Sequence, residues 1–90
     1  MEVRREFRII NRLGIHARAA ASLVKLAERY DSEITLEKDS QRARASSVLE
    51  LLMLCGQVGT HVVVSASGDD AEQAVSAVGD LIADRFGEGQ

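Results

Sequence analysis

Hydrophobic and polar residues alternate near the start of the chain. Phe7 and Ile9 are interleaved with Glu6 and Arg8, the two-residue period of a strand with one buried face, predicted over Arg5 to Ile10. The period then lengthens. After Asn11-Arg12-Leu13-Gly14, apolar residues recur at Ala20, Leu23, Val24, Ala27 and Tyr30, three and four apart. That spacing predicts a helix with one buried stripe, starting near His16 or Ala17 and stopped by Asp31-Ser32. Ile34 and Leu36 alternate with Glu33, Thr35 and Glu37 as a second strand, and Lys38 to Gln41 reads as a hairpin turn. Arg42 to Ala45 returns with Ala43 and Ala45 toward the core and the two arginines as solvated edge-strand charges.

Ser47-Val48-Leu49-Glu50 matches a capping box, in which the serine side chain and the glutamate three residues on each satisfy an unpaired backbone N–H. A short helix is expected from there to Cys55-Gly56, where glycine suits the left-handed residue that closes a helix. Val62, Val64 and Ala66 alternate with His61 and Ser65 as a fourth strand, and Val63 adds a buried second face. Asp69 and Asp70 are good N-caps for the stripe Ala71, Ala74, Val75, Val78, Leu81, Ile82 and Phe86, a third helix running to about Phe86. The order β-α-β-β-α-β-α predicts an α+β open-faced β-sandwich, four strands with three helices on one face.

The chain has 90 residues, 46% hydrophobic and 28% charged, enough for a single domain spanning 1–90 and one core. No apolar stretch approaches the ~20 residues that span a bilayer, so no membrane insertion is expected. The N-terminus has no apolar stretch resembling an export signal, and a cytoplasmic location is the default expectation. A net charge of −3 and only three aromatic residues speak against nucleic acid as a partner. Cys55 is the only cysteine; it reads as a small packed apolar side chain, with no disulfide or cysteine zinc site available. His61, with no ligand pattern around it, reads as a surface or edge residue, and no metal site or cofactor is expected. The acidic end, Asp84 to Glu88, reads as a solvated, fraying helix terminus.

Gly14-Ile15-His16-Ala17-Arg18 is the segment suited to chemistry. It joins a strand to the first turn of a helix, whose leading N–H groups lack internal partners and carry the positive end of the helix dipole. A neutral imidazole there offers a lone pair to phosphorus. The resulting anion can be held by the backbone of Ala17 and Arg18 and by the Arg18 guanidinium, while Gly14 lets the backbone pass close by.

Gly14-Ile15-His16-Ala17-Arg18-Ala19-Ala20 resembles the phosphorylation-site motif of the HPr family, histidine-containing phosphocarriers of the bacterial phosphotransferase system, usually Gly-Leu-His-Ala-Arg-Pro-Ala. Ala45 to Leu54 is similar to the family's segment around its regulatory serine and short second helix. Gly68 to Ala74 and the ending Leu81 to Gly89 look like proteobacterial members, including the nitrogen-related branch. The resemblance implies a sheet order of 1-4-2-3. It implies a cytoplasmic, monomeric carrier, not a stand-alone enzyme, that takes a phosphoryl group on His16, at the ring nitrogen nearer the backbone, from Enzyme I. An Enzyme IIA-type protein in sugar uptake or nitrogen and regulatory signalling would then receive it. Arg18 would steady the group. Ser47 falls on the serine that an HPr kinase phosphorylates in some bacteria, and Val48, Leu49, Leu52 and Met53, with Ala17 and Ala21, would form the docking surface.

Two positions depart from the family pattern. Ala19 replaces the usual proline, which keeps the first helical turn and restores one N–H donor. Ser46 replaces the frequent lysine before the regulatory serine, removing a charge that a kinase could read. The alternatives are a small-ligand-binding domain or a non-carrier regulatory adaptor, and an enzyme with a phosphohistidine intermediate. The adaptor lacks the acceptor histidine that is present here. The enzyme needs a general acid or base, and Gly14 to Arg18 supplies no carboxylate.

Overall fold

The computed structural model describes residues 1–89. Its elements are β1 (Glu2–Arg8), α1 (Ala17–Ala27), β2 (Glu33–Lys38), β3 (Gln41–Arg44), α2 (Val48–Met53), β4 (His61–Ser67), α3 (Ala71–Ala83) and a terminal 3-10 turn (Arg85–Gly87). The four strands form one antiparallel sheet in the order β1-β4-β2-β3, so the α+β open-faced sandwich and its strand order are as the pattern and the resemblance predict.

The register aligns the inward residues. Phe7 lies opposite Val62, and Val64 opposite Leu36, which in turn faces Ala43. Their side chains meet Leu23 of α1, Leu51 of α2 and Val75, Val78 and Ile82 of α3 in one buried core. Burial of this kind contributes about 1.5–3 kcal/mol for each large aliphatic side chain. The outer face of the sheet carries charges, among them an Arg4–Glu37 ion pair at 3.4 Å.

Several boundaries and environments differ from the sequence reading. The first strand stops at Arg8, yet Ile9 is fully buried because the chain continues inward beside Thr60, whose carbonyl accepts the Ile9 N–H at 2.8 Å. Val63 is only half-buried, since its side of the sheet faces solvent. The third helix ends at Ala83, and Arg85, Phe86 and Gly87 all adopt left-handed backbone, with φ of 57°, 54° and 81°. Buried Phe86 holds that turn against the core. Asp70 heads α3 without bonding its first turn; its carboxylate instead accepts the N–H groups of Asp31 and Ser32, each at 2.9 Å, tying the end of the α1–β2 connection to the start of α3. The Ser32 hydroxyl, and then the Asp31 N–H, hold the Asp70 carboxyl below its ordinary range.

Candidate functional site

The site loop is built by two glycines in contact. Gly14 has φ +67°, and a Cβ there would stand 2.3 Å from the Gly56 carbonyl oxygen. Only a residue without a side chain fits that conformation at that distance. Gly56 is itself constrained, because a Cβ would meet the Ile15 side chain at 2.7 Å, and its carbonyl accepts the Ile15 N–H at 2.8 Å. The segment before α1 is thereby fastened to the end of α2. Asn11, fully buried, closes the loop from inside by donating to the Gly14 carbonyl at 2.8 Å.

This loop delivers His16 to the N-cap of α1, in extended backbone, with its carbonyl accepting the Ala20 N–H at 2.8 Å. Its ring makes no capping hydrogen bond. The N–H groups of Ala17, Arg18 and Ala19 precede that first helical bond, so among the described residues the positive end of the helix dipole is left without a cap beside His16. Ala19 is buried and continues the helix, with a donor where the family pattern has proline. Arg18 is exposed, and among the described residues no ion pair engages its guanidinium.

A residue missed in the sequence completes the site. Glu88 does not lie in a fraying tail: its side chain is 14% exposed and contacts His16, 25% exposed, Oε2 against Nε2. Its other oxygen, Oε1, accepts a hydrogen bond from Asn11 Nδ2 at 3.0 Å. The left-handed turn after α3 brings the carboxylate across the fold. The only local hint was Gly87 next to Glu88, which permits such a reversal without naming its destination.

Ser47 is the N-cap of α2, its hydroxyl accepting the Glu50 N–H at 3.2 Å. The capping box is only half formed. The Glu50 carboxylate turns instead to Arg44, accepting its backbone N–H at 2.9 Å and its Nε at 3.0 Å. Arg44 is thus ion-paired and not merely solvated, and the bond to it holds the Glu50 carboxyl below its ordinary range. The closing left-handed residue of α2 is Cys55, φ 57°, not Gly56. Cys55 is exposed, contrary to the packed reading, because the reversal turns its side chain out of the core. Lys38 donates to the Cys55 carbonyl at 2.9 Å, satisfying an acceptor at the end of the helix.

Leu51 alone of the α2 helix is buried, whereas Leu49 and Met53 are 67% and 65% exposed and Val48 and Leu52 are also open. Ala17 and Ala21 are exposed on α1. Leu13 and Val58, on loops flanking the Gly14–Gly56 contact, extend the exposed apolar surface beyond the residues anticipated. His61 is an exposed residue at the start of β4, 3.8 Å from Glu6. Among the described residues no group of acids, histidines and cysteines is arranged to hold a metal ion, and no helix is long and apolar enough to cross a membrane.

Residues 3–84 match the family described as PTS HPr component phosphorylation site. The chain is similar to phosphocarrier protein HPr of Cupriavidus necator, 38% identical over 98% of this chain and 99% of that one. It is likewise similar to phosphocarrier protein NPr of Shewanella violacea, 40% identical over 97% and 96%. Among solved structures, HPr-C-His from Thermoanaerobacter tengcongensis superposes with a TM-score of 0.92 at 39% identity, covering 98% of this chain and 99% of that one.

Proposed function

The chain belongs to the HPr family of phosphotransferase-system phosphocarriers, and from that premise we propose that His16 is its phosphoryl acceptor, loaded by phosphorylated Enzyme I and unloaded to an Enzyme IIA-type protein in the cytoplasm. The observation that carries this reading is the open N-terminus of α1: three N–H groups without a partner among the described residues and an imidazole that does not cap them. Attack places the phosphoryl group on Nδ1, since Nε2 faces Glu88. Charge-assisted hydrogen bonds from the first turn and from Arg18 then stabilise the new anion.

The exposed residues Val48, Leu49, Leu52 and Met53, with Ala17 and Ala21, form the docking face beside the ring. Ser47 lies at the edge of that face and serves as the regulatory position. A phosphate there meets Glu50 on its own helix and must lose water when an apolar interface closes over it.

Incubation with Enzyme I and phosphoenolpyruvate, followed by intact mass measurement, tests the assignment. One acid-labile phosphoryl group is expected on the protein and none on His16→Ala. An acid-stable adduct, or one that persists in His16→Ala, overturns it.

A further inference from the structure

We propose that Glu88 is a positioning residue for phosphoryl transfer: its carboxylate, held from behind by Asn11, fixes the His16 proton on Nε2 and leaves the Nδ1 lone pair free to attack. The inference rests on the carrier reading of His16 and adds a role for a side chain at the far end of the chain.

Three observations converge on it. The carboxylate is mostly buried and divided between two partners, Oε2 against His16 Nε2 and Oε1 bonded to Asn11 Nδ2 at 3.0 Å. Nε2 and Oε2 are both buried and neither makes a hydrogen bond to any other group among the described residues, so the ion-pair contact between them is the one polar interaction open to each. Asn11 is fully buried, and the same amide also donates to the Gly14 carbonyl, coupling the carboxylate to the loop that sets the histidine backbone. Finally, Glu88 reaches this place only through left-handed backbone at Arg85 and Phe86. Non-glycine residues hold that conformation at a cost, so the surrounding contacts must fix it.

Chemically, a carboxylate accepts a hydrogen bond and donates none, so it selects the Nε2–H tautomer of the neutral ring. The Nδ1 lone pair forms the nitrogen–phosphorus bond while the bond from phosphorus to the donor's leaving atom breaks, that atom keeping the electron pair. The Nε2 proton stays in place throughout. Positive charge gathered on the ring during attack faces the carboxylate on the side away from phosphorus.

The test combines transfer kinetics with nitrogen NMR of the His16 ring at alkaline pH, for wild type, Glu88→Ala and Glu88→Gln. Glu88→Ala is expected to slow phosphorylation about tenfold, the scale of one charge-assisted hydrogen bond. Its ring resonances should shift toward a tautomer mixture, with the melting temperature nearly unchanged. Glu88→Gln, which keeps an acceptor without the charge, should retain the Nε2–H tautomer and fall between the two in rate. A wild-type rate in Glu88→Ala, or ring resonances that do not move on that substitution, overturns the proposal. If wild-type protein takes no phosphoryl group on His16, the carrier reading fails instead, and the ring resonances still decide whether Glu88 sets the tautomer.

Discussion

The N-termini of α1 and α2 face opposite demands. At α1 the N-cap side chain, His16, leaves the leading N–H groups open. At α2 the N-cap side chain, Ser47, accepts from the helix, and Glu50 in its first turn is tied back to Arg44. The open end sits on an eleven-residue helix with a substantial dipole and can receive an anion. The closed end belongs to a six-residue helix that would be marginal without its cap, its single buried leucine and the Lys38 contact at its other end. Among the described residues one terminus is left unsatisfied, which the proposed function uses to hold an anion, and the other is satisfied so that a short helix can hold an apolar face toward solvent. The Gly14–Gly56 contact fastens the segment before the open terminus to the far end of α2.

Breaking that contact should have the largest effect on stability. Gly14→Ala forces a side chain into left-handed backbone and against the Gly56 carbonyl, and is expected to cost about 2–4 kcal/mol in denaturant unfolding. Stability within experimental error of wild type would show that the two segments are not held together there. Arg18→Ala acts on the open terminus alone. Phosphoryl transfer should slow about tenfold, with stability changed by less than about 0.5 kcal/mol because the side chain is exposed. Transfer kinetics identical to wild type would remove Arg18 from the site.

At the closed terminus a pair of substitutions separates capping from docking. Ser47→Ala removes the acceptor for the Glu50 N–H and should cost about 0.5–2 kcal/mol, while transfer by the folded protein is retained. Ser47→Asp keeps an acceptor at the positive end of the helix and should leave the melting temperature nearly unchanged. It should nonetheless slow Enzyme I-dependent phosphorylation, through a charge at the edge of an apolar face. Equal loss of rate in both variants, or none in Ser47→Asp, would leave Ser47 as a helix cap only.

The N-terminus of α3 supplies the smallest effect. The Asp70 carboxyl lies below its ordinary range when folded, so it contributes stability above the unfolded-state value and loses it as pH falls through the folded one. Melting temperatures of wild type and Asp70→Asn should therefore differ at neutral pH and converge below about pH 4. Parallel curves across that range would show that the Asp31 and Ser32 contacts do not depend on the charge.

Periodicity made the fold legible because each element buries one face. The strand alternation at Ile34 and Leu36 and the helical stripe at Ala74, Val75, Val78 and Ile82 are direct imprints of the core. The geometry of the proposed His16 site was legible because its parts are local: glycine, histidine and helix start are adjacent. Glu88 was not, since nothing in a terminal Gly-Glu-Gly indicates that a turn at Arg85 to Gly87 will return the carboxylate to the first helix. Arg44 and Cys55 misled for a related reason. An edge-strand arginine is usually solvated, but Glu50 lies within its reach; a cysteine usually packs, but here it occupies the outward reversal after α2.

On the proposed function, the open end of α1 takes a phosphoryl group on the Nδ1 side of His16. Correlated nitrogen and phosphorus NMR on the protein phosphorylated by Enzyme I and phosphoenolpyruvate reads which ring nitrogen carries the phosphorus. Phosphorus bonded to Nδ1, the proton remaining on Nε2, and the largest amide shifts at Ala17, Arg18 and Ala19 are expected. Phosphorus on Nε2, or amides at the start of α1 that do not respond, would contradict it.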